Sequence, residues 1–304
     1  MTATMDDCLR FYAEEVRLAG TINSRAVVEA FGRVPREKFM GPPPWQIPVF
    51  NPRSMADDKN FKPTYSSTND PRDLYHNILI GLDPPKGLNN GHPSSLAYWI
   101  DALELKPGDR VYHLGCGVGY YTAIMAEIVG TSGSVVGSEV HAELGARARD
   151  NLAGYKNVTV EVGEDNAAPF DPGDCDAIFV NAGMTHILPM WLDRLREAGR
   201  MLVPLTASVT PAGGHGVMAK IVRSGGQLSA ETTGPVGIFS AVGLRDESFE
   251  ESIQAAIKSQ KLSGMKSVRR DAHEPTDTCI LHVMGACLSS MEMVGVESPD
   301  AAAR

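Results

Sequence analysis

Three glycines that alternate with other residues follow an apolar stretch, and they are the part of the sequence best suited to hold a ligand. Residues 111–114 read as a strand, and Gly115, Gly117 and Gly119 come directly after it. Because glycine has no Cβ, the backbone can turn tightly there and come close to a ligand, and the N–H groups of the following helix can face that ligand. The pattern predicts a turn that binds a nucleoside-type cofactor.

The spacing of the glycines narrows the choice of cofactor. A dinucleotide-binding turn has Gly-x-Gly-x-x-Gly around a pyrophosphate, whereas this chain has Gly-x-Gly-x-Gly, which is typical of S-adenosylmethionine enzymes. A second predicted strand, 134–139, ends in Glu139, 24 residues after Gly115. A carboxylate at that point can accept hydrogen bonds from ribose hydroxyls. An ordinary strand–helix–strand unit with incidental glycines is the alternative.

Strands and helices alternate regularly from residue 110 to residue 205. This alternation predicts an α/β fold, a doubly wound and mostly parallel seven-stranded sheet of the Rossmann-like type, with ligands at the carboxyl ends of its strands. The expected strands are 110–114, 134–139, 157–162, 175–180 and 200–205, the expected helices are 120–129, 141–153 and 186–197, and segments 216–223 and 278–284 are candidate antiparallel strands. The strand ends carry four further candidate cofactor-binding residues: His113, Glu164, Asp165 and Asn181.

Additional segments flank this core. Residues 6–39 read as helices, and residues 41–73 contain too many prolines for regular structure and too many aromatic residues for a free linker. We therefore expect a helical cap and an ordered lid or surface-hugging insert in residues 1–84, and a core that binds S-adenosylmethionine in residues 85–243. A C-terminal extension, 244–304, is expected to complete the sheet and to end in a disordered tail.

Composition excludes several classes of protein. The net charge of −9 argues against a nucleic-acid substrate, and no apolar stretch approaches the roughly 20 residues that span a bilayer. The N-terminal residues lack the features of a signal peptide, so a cytoplasmic location is expected. The five cysteines are odd in number and contain no Cys-x-x-Cys pair. Together with the unrelated spacing of His186, His215 and His273, this argues against a disulfide framework and against a metal site.

Several segments together resemble the protein L-isoaspartate O-methyltransferase family. They are Val-Tyr-His-Leu-Gly-Cys-Gly-Val-Gly-Tyr-Tyr-Thr-Ala from Val111, then Gly-Ser-Glu-Val, Cys-Asp-Ala-Ile-Phe-Val-Asn-Ala-Gly and Arg-Met-Leu-Val-Pro-Leu, together with residues 30–39 near the N-terminus. The resemblance implies methyl transfer from S-adenosylmethionine to a carboxylate oxygen of an altered aspartate in a protein. In that comparison the three glycines match the glycine loop and Glu139 matches the ribose-binding acid. Glu164 stands where the family has an aspartate near the adenine, and Asp165 is the alternative.

The residues that correspond to the family's contacts with the methyl acceptor differ from the family pattern. Family members read like Thr-Ile-Ser-x-Pro before the helix that leads to the glycine loop, and a hydroxyl there contacts the substrate carboxylate. Aligned on Pro93, this chain has Asn89 and Gly91 in place of the two hydroxyl residues. His113 likewise stands where the family usually has a glutamate. These departures from the family pattern favour methyl transfer to a changed acceptor over methylation of an altered aspartate.

Candidate catalytic residues lie in this altered loop. A carboxylate acceptor needs no base, whereas a hydroxyl or an amine does, and His92 is the first candidate because its unperturbed pKa is about 6.5. Asn89 and Asn90 can donate and accept hydrogen bonds to a polar or carboxylate-bearing substrate. The alternatives are a loop histidine bonded to backbone, a simple Asn-Asn-Gly turn, and a buried structural role for His113 instead of contact with the cofactor.

The sequence thus predicts an S-adenosylmethionine-dependent O-methyltransferase that acts on a carboxylate of a peptide, a protein or a small metabolite. Two other functions stay open. One is genuine repair of isoaspartyl proteins, and the other is a non-catalytic module that keeps the fold for cofactor binding.

Overall fold

The computed structural model describes residues 4–49, 64–163, 170–210 and 212–292, and it divides into two compact units, Met1–Ala167 and Ala168–Arg304. In the first unit the described helices are α1 Met5–Gly20, α2 Arg25–Phe31, α3 Pro93–Ala102, α4 Tyr120–Val129 and α5 Ala142–Leu152, and the strands are β1 Trp45–Val49, β2 Thr64–Thr68, β3 Gly81–Asp83, β4 Leu88–Asn89, β5 Arg110–Leu114, β6 Ser134–Glu139 and β7 Val158–Val162. In the second unit the helices are α6 Pro189–Arg194 and α7 Glu250–Lys258, and the strands are β8 Cys175–Val180, β9 Leu195–Thr210, β10 Gly213–Ser224, β11 Gln227–Phe239, β12 Ser267–Arg269, β13 Cys279–Leu281 and β14 Cys287–Ser289.

The N-terminal helices pack on the helix that follows the glycines. Helix α1 begins with a reciprocal capping box, in which the Thr4 hydroxyl accepts from the Asp7 N–H and the Asp7 carboxylate accepts from the Thr4 N–H. Fully buried Tyr12 lies 6.0 Å from the Phe31 ring of α2, measured between ring centroids, and Phe31 lies 6.2 Å from Tyr120 of α4. Such tilted and edge-to-face aromatic pairs add stability beyond their buried area. They fix the start of α4.

The proline-rich insert contains regular structure where it is described, so the expectation of an irregular segment is wrong there. Strand β1 pairs antiparallel with β2 on one side and with β3 on the other, where Gln46 is opposite Gly81. Strand β3 also pairs antiparallel with β4, where Gly81 is opposite Asn89. Among the described residues Pro48 pairs only with Tyr65 on β2, so its missing N–H is tolerated as on an edge strand. The insert is therefore joined by a sheet to the loop that carries Asn89. Two of its aromatic residues, Phe50 and Phe61, lie outside the described residues.

The Rossmann-like α/β class is confirmed. In the first unit β5, β6 and β7 are parallel, with α4 and α5 as the connecting helices. In the second unit β8 and β9 are parallel, and β9, β10 and β11 form an antiparallel meander. The helix expected at 186–197 is shorter: Pro189 occupies its first turn, and the chain becomes extended from Leu195, where β9 begins.

The C-terminal extension adds three short strands, more than the one expected at 278–284. Strand β12 pairs with β11 through Ser267 and Ser229, and β14 lies between β12 and β13, all antiparallel. Among the residues that the structure describes, every helix is too short or too polar to cross a lipid bilayer.

Candidate functional site

The glycine loop adopts a backbone that only glycine takes easily. Gly115, Gly117 and Gly119 have φ values of +74°, +57° and +88°, in the left-handed region. A Cβ on Gly119 would lie 2.6 Å from the Leu152 Cδ1 atom, so this glycine allows α4 to approach α5 closely. A Cβ on Gly117 would meet no atom within 4 Å. The loop therefore presents Gly117 to open space, where a ligand can come close to the backbone.

Glu139 holds this loop from the neighbouring strand. The residue is 6% exposed, its Oε2 atom accepts from the Gly117 N–H at 2.8 Å, and its Oε1 atom accepts from the His141 N–H at 3.0 Å. A carboxylate has about four lone-pair sites, so each oxygen keeps one for a further donor such as a ribose hydroxyl. The glycine loop and Glu139, which are predicted to bind the two ends of a nucleoside cofactor, are thus in direct contact.

His113 lies beneath the loop and has no exposed surface. Its Nδ1 atom is 2.9 Å from the Thr122 hydroxyl on α4. Burial lowers the pKa of His113 to about 3, so the imidazole is neutral at physiological pH. This position favours the structural alternative over direct contact with the cofactor.

Because His113 is buried as a neutral imidazole, we expect the native state to lose stability in acid. The unfolded chain binds a proton on this residue below its ordinary pKa of about 6.5, whereas the native protein binds it only near pH 3. The stability that this neutral imidazole preserves is therefore complete above about pH 6.5. It falls as the pH decreases toward 3, by at most about 1.4 kcal/mol for each pH unit. Urea unfolding of the His113→Gln variant between pH 7 and pH 4 should show a shallower loss of stability than the parent, while His215→Gln, at an exposed position, should follow the parent.

The loop of the predicted acceptor side is anchored by its two asparagines in different ways. Asn89 uses its Oδ1 atom to accept from the Gly91 N–H at 2.9 Å, which closes the simple turn that Asn-Asn-Gly predicts. Asn90 is 8% exposed; its N–H donates to the Ile80 carbonyl at 3.0 Å and its Oδ1 atom accepts from the Ile80 N–H at 2.8 Å. The Nδ2 atom of Asn90 is buried and has no hydrogen-bond partner in the described part of the chain. A buried donor of this kind is costly unless a ligand or water accepts from it.

Tyr121 links this loop to the glycine loop, a connection that the sequence analysis missed. Its hydroxyl donates to the Gly91 carbonyl at 3.1 Å, and the residue itself lies in the first turn of α4, two positions after Gly119. An aromatic residue just after the glycines was the available signal, but its partner is 30 residues earlier and is defined only by the fold.

His92 stands at the N-terminus of α3, exposed, with its Nδ1 atom 3.2 Å from the Ser94 hydroxyl. Desolvation, and then the positive charge of Arg36, lower the pKa of His92 below its ordinary value. The neutral ring that results is able to accept a proton. The bond to a side-chain hydroxyl differs from the backbone bond that the structural alternative assumes.

The remaining predicted residues are placed elsewhere or not described. Glu164 and Asp165 lie outside the described residues, and Asn181 directly follows β8 in the second unit. Burial raises the pKa of the Cys116 thiol well above its ordinary value, so this residue of the glycine loop is an unreactive thiol.

Known sequences that resemble this chain belong to one family of methyltransferases. The model of the protein-L-isoaspartate(D-aspartate) O-methyltransferase family matches residues 73–243. The protein-L-isoaspartate O-methyltransferase of Ignicoccus hospitalis is 31% identical over 211 residues, which are 67% of this chain and 83% of that protein. Protein-L-isoaspartate O-methyltransferase 2 of Archaeoglobus fulgidus is 37% identical over 42% of this chain and 61% of its own length.

Solved structures show the same fold. A protein-L-isoaspartate O-methyltransferase matches with a TM-score of 0.54 at 21% identity, over 84% of this chain and 70% of that one. A Plasmodium falciparum protein assigned to the same activity, solved with S-adenosyl-L-homocysteine, matches with a TM-score of 0.55 at 19% identity, over 77% of this chain and 97% of its own. Because the family model spans more than half of the sequence and the Ignicoccus relative aligns over most of its own length, this chain belongs to the protein-L-isoaspartate(D-aspartate) O-methyltransferase family and is an S-adenosylmethionine-dependent methyltransferase.

Proposed function

We propose that this chain O-methylates a carboxylate of a peptide or protein, and that residues 88–93 receive the acceptor. The observation that carries the proposal is the buried Nδ2 atom of Asn90, a donor without a partner among the described residues. A carboxylate oxygen would satisfy it, in the role that the resemblance gives to a hydroxyl in other family members. Asn89 supports the loop through its bond to the Gly91 N–H, and Asn90 contacts the acceptor.

The chemistry asks the protein mainly for positioning. S-adenosylmethionine, when bound, would supply the methyl group that is transferred to the acceptor oxygen. We propose that Gly115, Gly117, Gly119 and Glu139 orient the cofactor, and that the Asn90 amide aligns the acceptor. His92 serves as base only for a hydroxyl or amine acceptor, because a carboxylate is already deprotonated at neutral pH. Contacts of Glu164 or Asp165 with the adenine, and of Asn181 with the cofactor, stay predictions from the sequence.

The acceptor is tested by transfer of labelled methyl from S-adenosylmethionine to an isoaspartyl peptide, to the matching aspartyl peptide, and to an extract of peptides and metabolites. We expect base-labile label in peptides, since methyl esters hydrolyse in base. Strong labelling of the isoaspartyl peptide identifies the second candidate function, a repair enzyme like its named relatives. Labelling confined to other peptides in the extract identifies a changed acceptor. Cofactor binding without transfer to any acceptor contradicts the proposal and supports a binding module.

The role of Asn90 is separable from its support of the loop. The Asn90→Asp variant keeps the oxygen that accepts from the Ile80 N–H but replaces the donor with a negative oxygen that repels a carboxylate. Losing one hydrogen bond to a charged group costs about 1.5–3 kcal/mol, so we expect kcat/KM to fall about 10- to 100-fold.

The affinity for S-adenosylmethionine should be unchanged in this variant, because Asn90 lies on the acceptor side. Asn23→Asp, which adds the same charge at an exposed residue of the same unit, is the matched control and should keep the parent kcat/KM. Equal kcat/KM for the two variants would remove Asn90 from the acceptor site.

The insert should influence which acceptors enter. Its strands β1 and β2 reach the acceptor loop through a continuous sheet, from Gln46 to Gly81 and from Gly81 to Asn89. We therefore expect deletion of residues 45–70 to broaden the set of methylated peptides while leaving the affinity for S-adenosylmethionine close to that of the parent. An unchanged labelling profile in the extract would show that the insert does not select acceptors.

A further inference from the structure

Four side chains that favour metals converge in the C-terminal extension, outside the segment that matches the family model. They are His273, Cys279, His282 and Cys287, and their ligand atoms all lie within 4.8 Å of one another. Cys287 is fully buried and the other three are partly buried. We propose that these four residues bind one Zn²⁺ ion in a structural site.

The distances suit a tetrahedral ion. Zinc bonds of about 2.3 Å to sulfur and about 2.0–2.1 Å to nitrogen place the ligand atoms roughly 3.3–3.8 Å apart. The Cys279 Sγ and His273 Nε2 atoms are already 3.5 Å apart. The rings of His273 and His282 meet edge to face, with centroids 4.8 Å apart and planes at 82°, instead of stacking in parallel. Only a small inward movement of the side chains is needed to centre an ion among the four.

Neighbouring groups orient the ligands as they do around known zinc sites. The Asp271 carbonyl lies 2.9 Å from the His273 Nδ1 atom, which leaves Nε2 directed at Cys279. Such a bond to the second ring nitrogen fixes the tautomer that binds metal. The Thr276 N–H and hydroxyl lie 3.3 Å and 3.4 Å from the Cys279 sulfur, where both can donate to a thiolate. The Nδ1 atom of His282 is buried and has no hydrogen-bond partner in the described part of the chain.

The ligand set selects the metal and its role. Two cysteines and two histidines form one of the common structural zinc sets, and two thiolates balance the 2+ charge of the ion. All four positions are filled by protein, so no site is left for a substrate. The segment needs such a link because β12, β13 and β14 have three residues each and the chain between them has little regular structure.

This inference revises the expectation that the chain has no metal site. The spacing is His-x5-Cys-x2-His-x4-Cys, in which the two residue types alternate and no Cys-x-x-Cys pair occurs. Counting cysteines alone therefore does not find it. The pairing of β14 with β13 brings the last ligand to the others.

Metal content tests the proposal directly and independently of methyl transfer. We expect the full chain, purified under reducing conditions without chelator, to contain about one zinc per chain by elemental mass spectrometry. The Cys279→Ser and Cys287→Ser variants should lose it, and Cys8→Ser, a free cysteine on α1, should retain it. If the first two variants fail to fold, replacement of zinc by Co²⁺ in the parent protein should give the thiolate-to-cobalt absorption of a tetrahedral site. Reduced parent protein that holds no zinc and takes up no Co²⁺ would overturn the proposal, as would a Cys279–Cys287 disulfide found after rapid alkylation of freshly lysed cells.

Discussion

Replacement of Glu139 by glutamine is expected to weaken binding of S-adenosylmethionine about 100-fold, because charge-assisted hydrogen bonds contribute about 1.5–3 kcal/mol each and 1.4 kcal/mol is a factor of ten. The carboxylate accepts from the Gly117 N–H and the His141 N–H at once. A glutamine side chain has one oxygen and one NH₂ group, so one of these two backbone donors would face another donor. The variant should therefore lose the shape of the glycine loop as well as a proposed contact to the ribose.

Calorimetric titration with S-adenosylmethionine and with S-adenosylhomocysteine measures this effect. Glu143→Gln is the matched control, since it makes the same change at an exposed residue in the first turn of α5. We expect the control to bind both ligands like the parent. Equal affinities of the two variants would show that Glu139 holds neither the loop nor the cofactor.

Replacement of Arg36 by methionine is expected to destabilise the native state by about 3–5 kcal/mol, because each buried hydrogen-bonding group that loses its partner costs about 1–3 kcal/mol. The guanidinium is fully buried and donates to the carbonyls of Leu74, His76 and Ile78 at 2.6, 2.9 and 2.6 Å. It also lies 5.5 Å from the centre of the Tyr12 ring. Methionine fills much of the volume but removes this donor from all three carbonyl groups; the His76 carbonyl keeps its bond from the Ile78 N–H.

Urea unfolding followed by circular dichroism measures the loss as a lower midpoint. Arg33→Met is the control, because Arg33 is more than half exposed and its ion pair with Glu127 spans 3.5 Å. Exposed ion pairs contribute about 0–1 kcal/mol, so the control should unfold close to the parent. Similar midpoints for the two variants would show that the segment after Leu74 does not depend on Arg36. If the Arg36→Met variant does not accumulate as folded protein, the Arg36→Lys variant, which retains the charge but cannot reach all three carbonyls, provides the measurement.

The sequence by itself determined the glycine loop and the position of Glu139 at the end of the next strand. An apolar strand, three alternate glycines and an acid at the end of the next strand lie close together in the chain, with 24 residues from Gly115 to Glu139. Local backbone preference largely decides such a feature, because the positive φ values at Gly115, Gly117 and Gly119 favour glycine whatever the distant contacts are. Local sequence patterns likewise predicted the alternation of strands and helices in the core.

Only the tertiary structure decided the parts that depend on residues far apart in the chain. The insert forms strands because Gln46, Gly81 and Asn89 meet in one sheet, which overrides the irregularity that its prolines predict. The bond from the Ile80 N–H holds the Asn90 side chain in a buried position, where its Nδ2 donor has no partner among the described residues. The same loop is bonded to α4 through Tyr121, which is 30 residues away from Gly91. The cluster from His273 to Cys287 likewise exists only once short strands have paired. Residue types and spacing encode local conformation, whereas burial and unsatisfied hydrogen-bonding groups follow from which distant segments pack together.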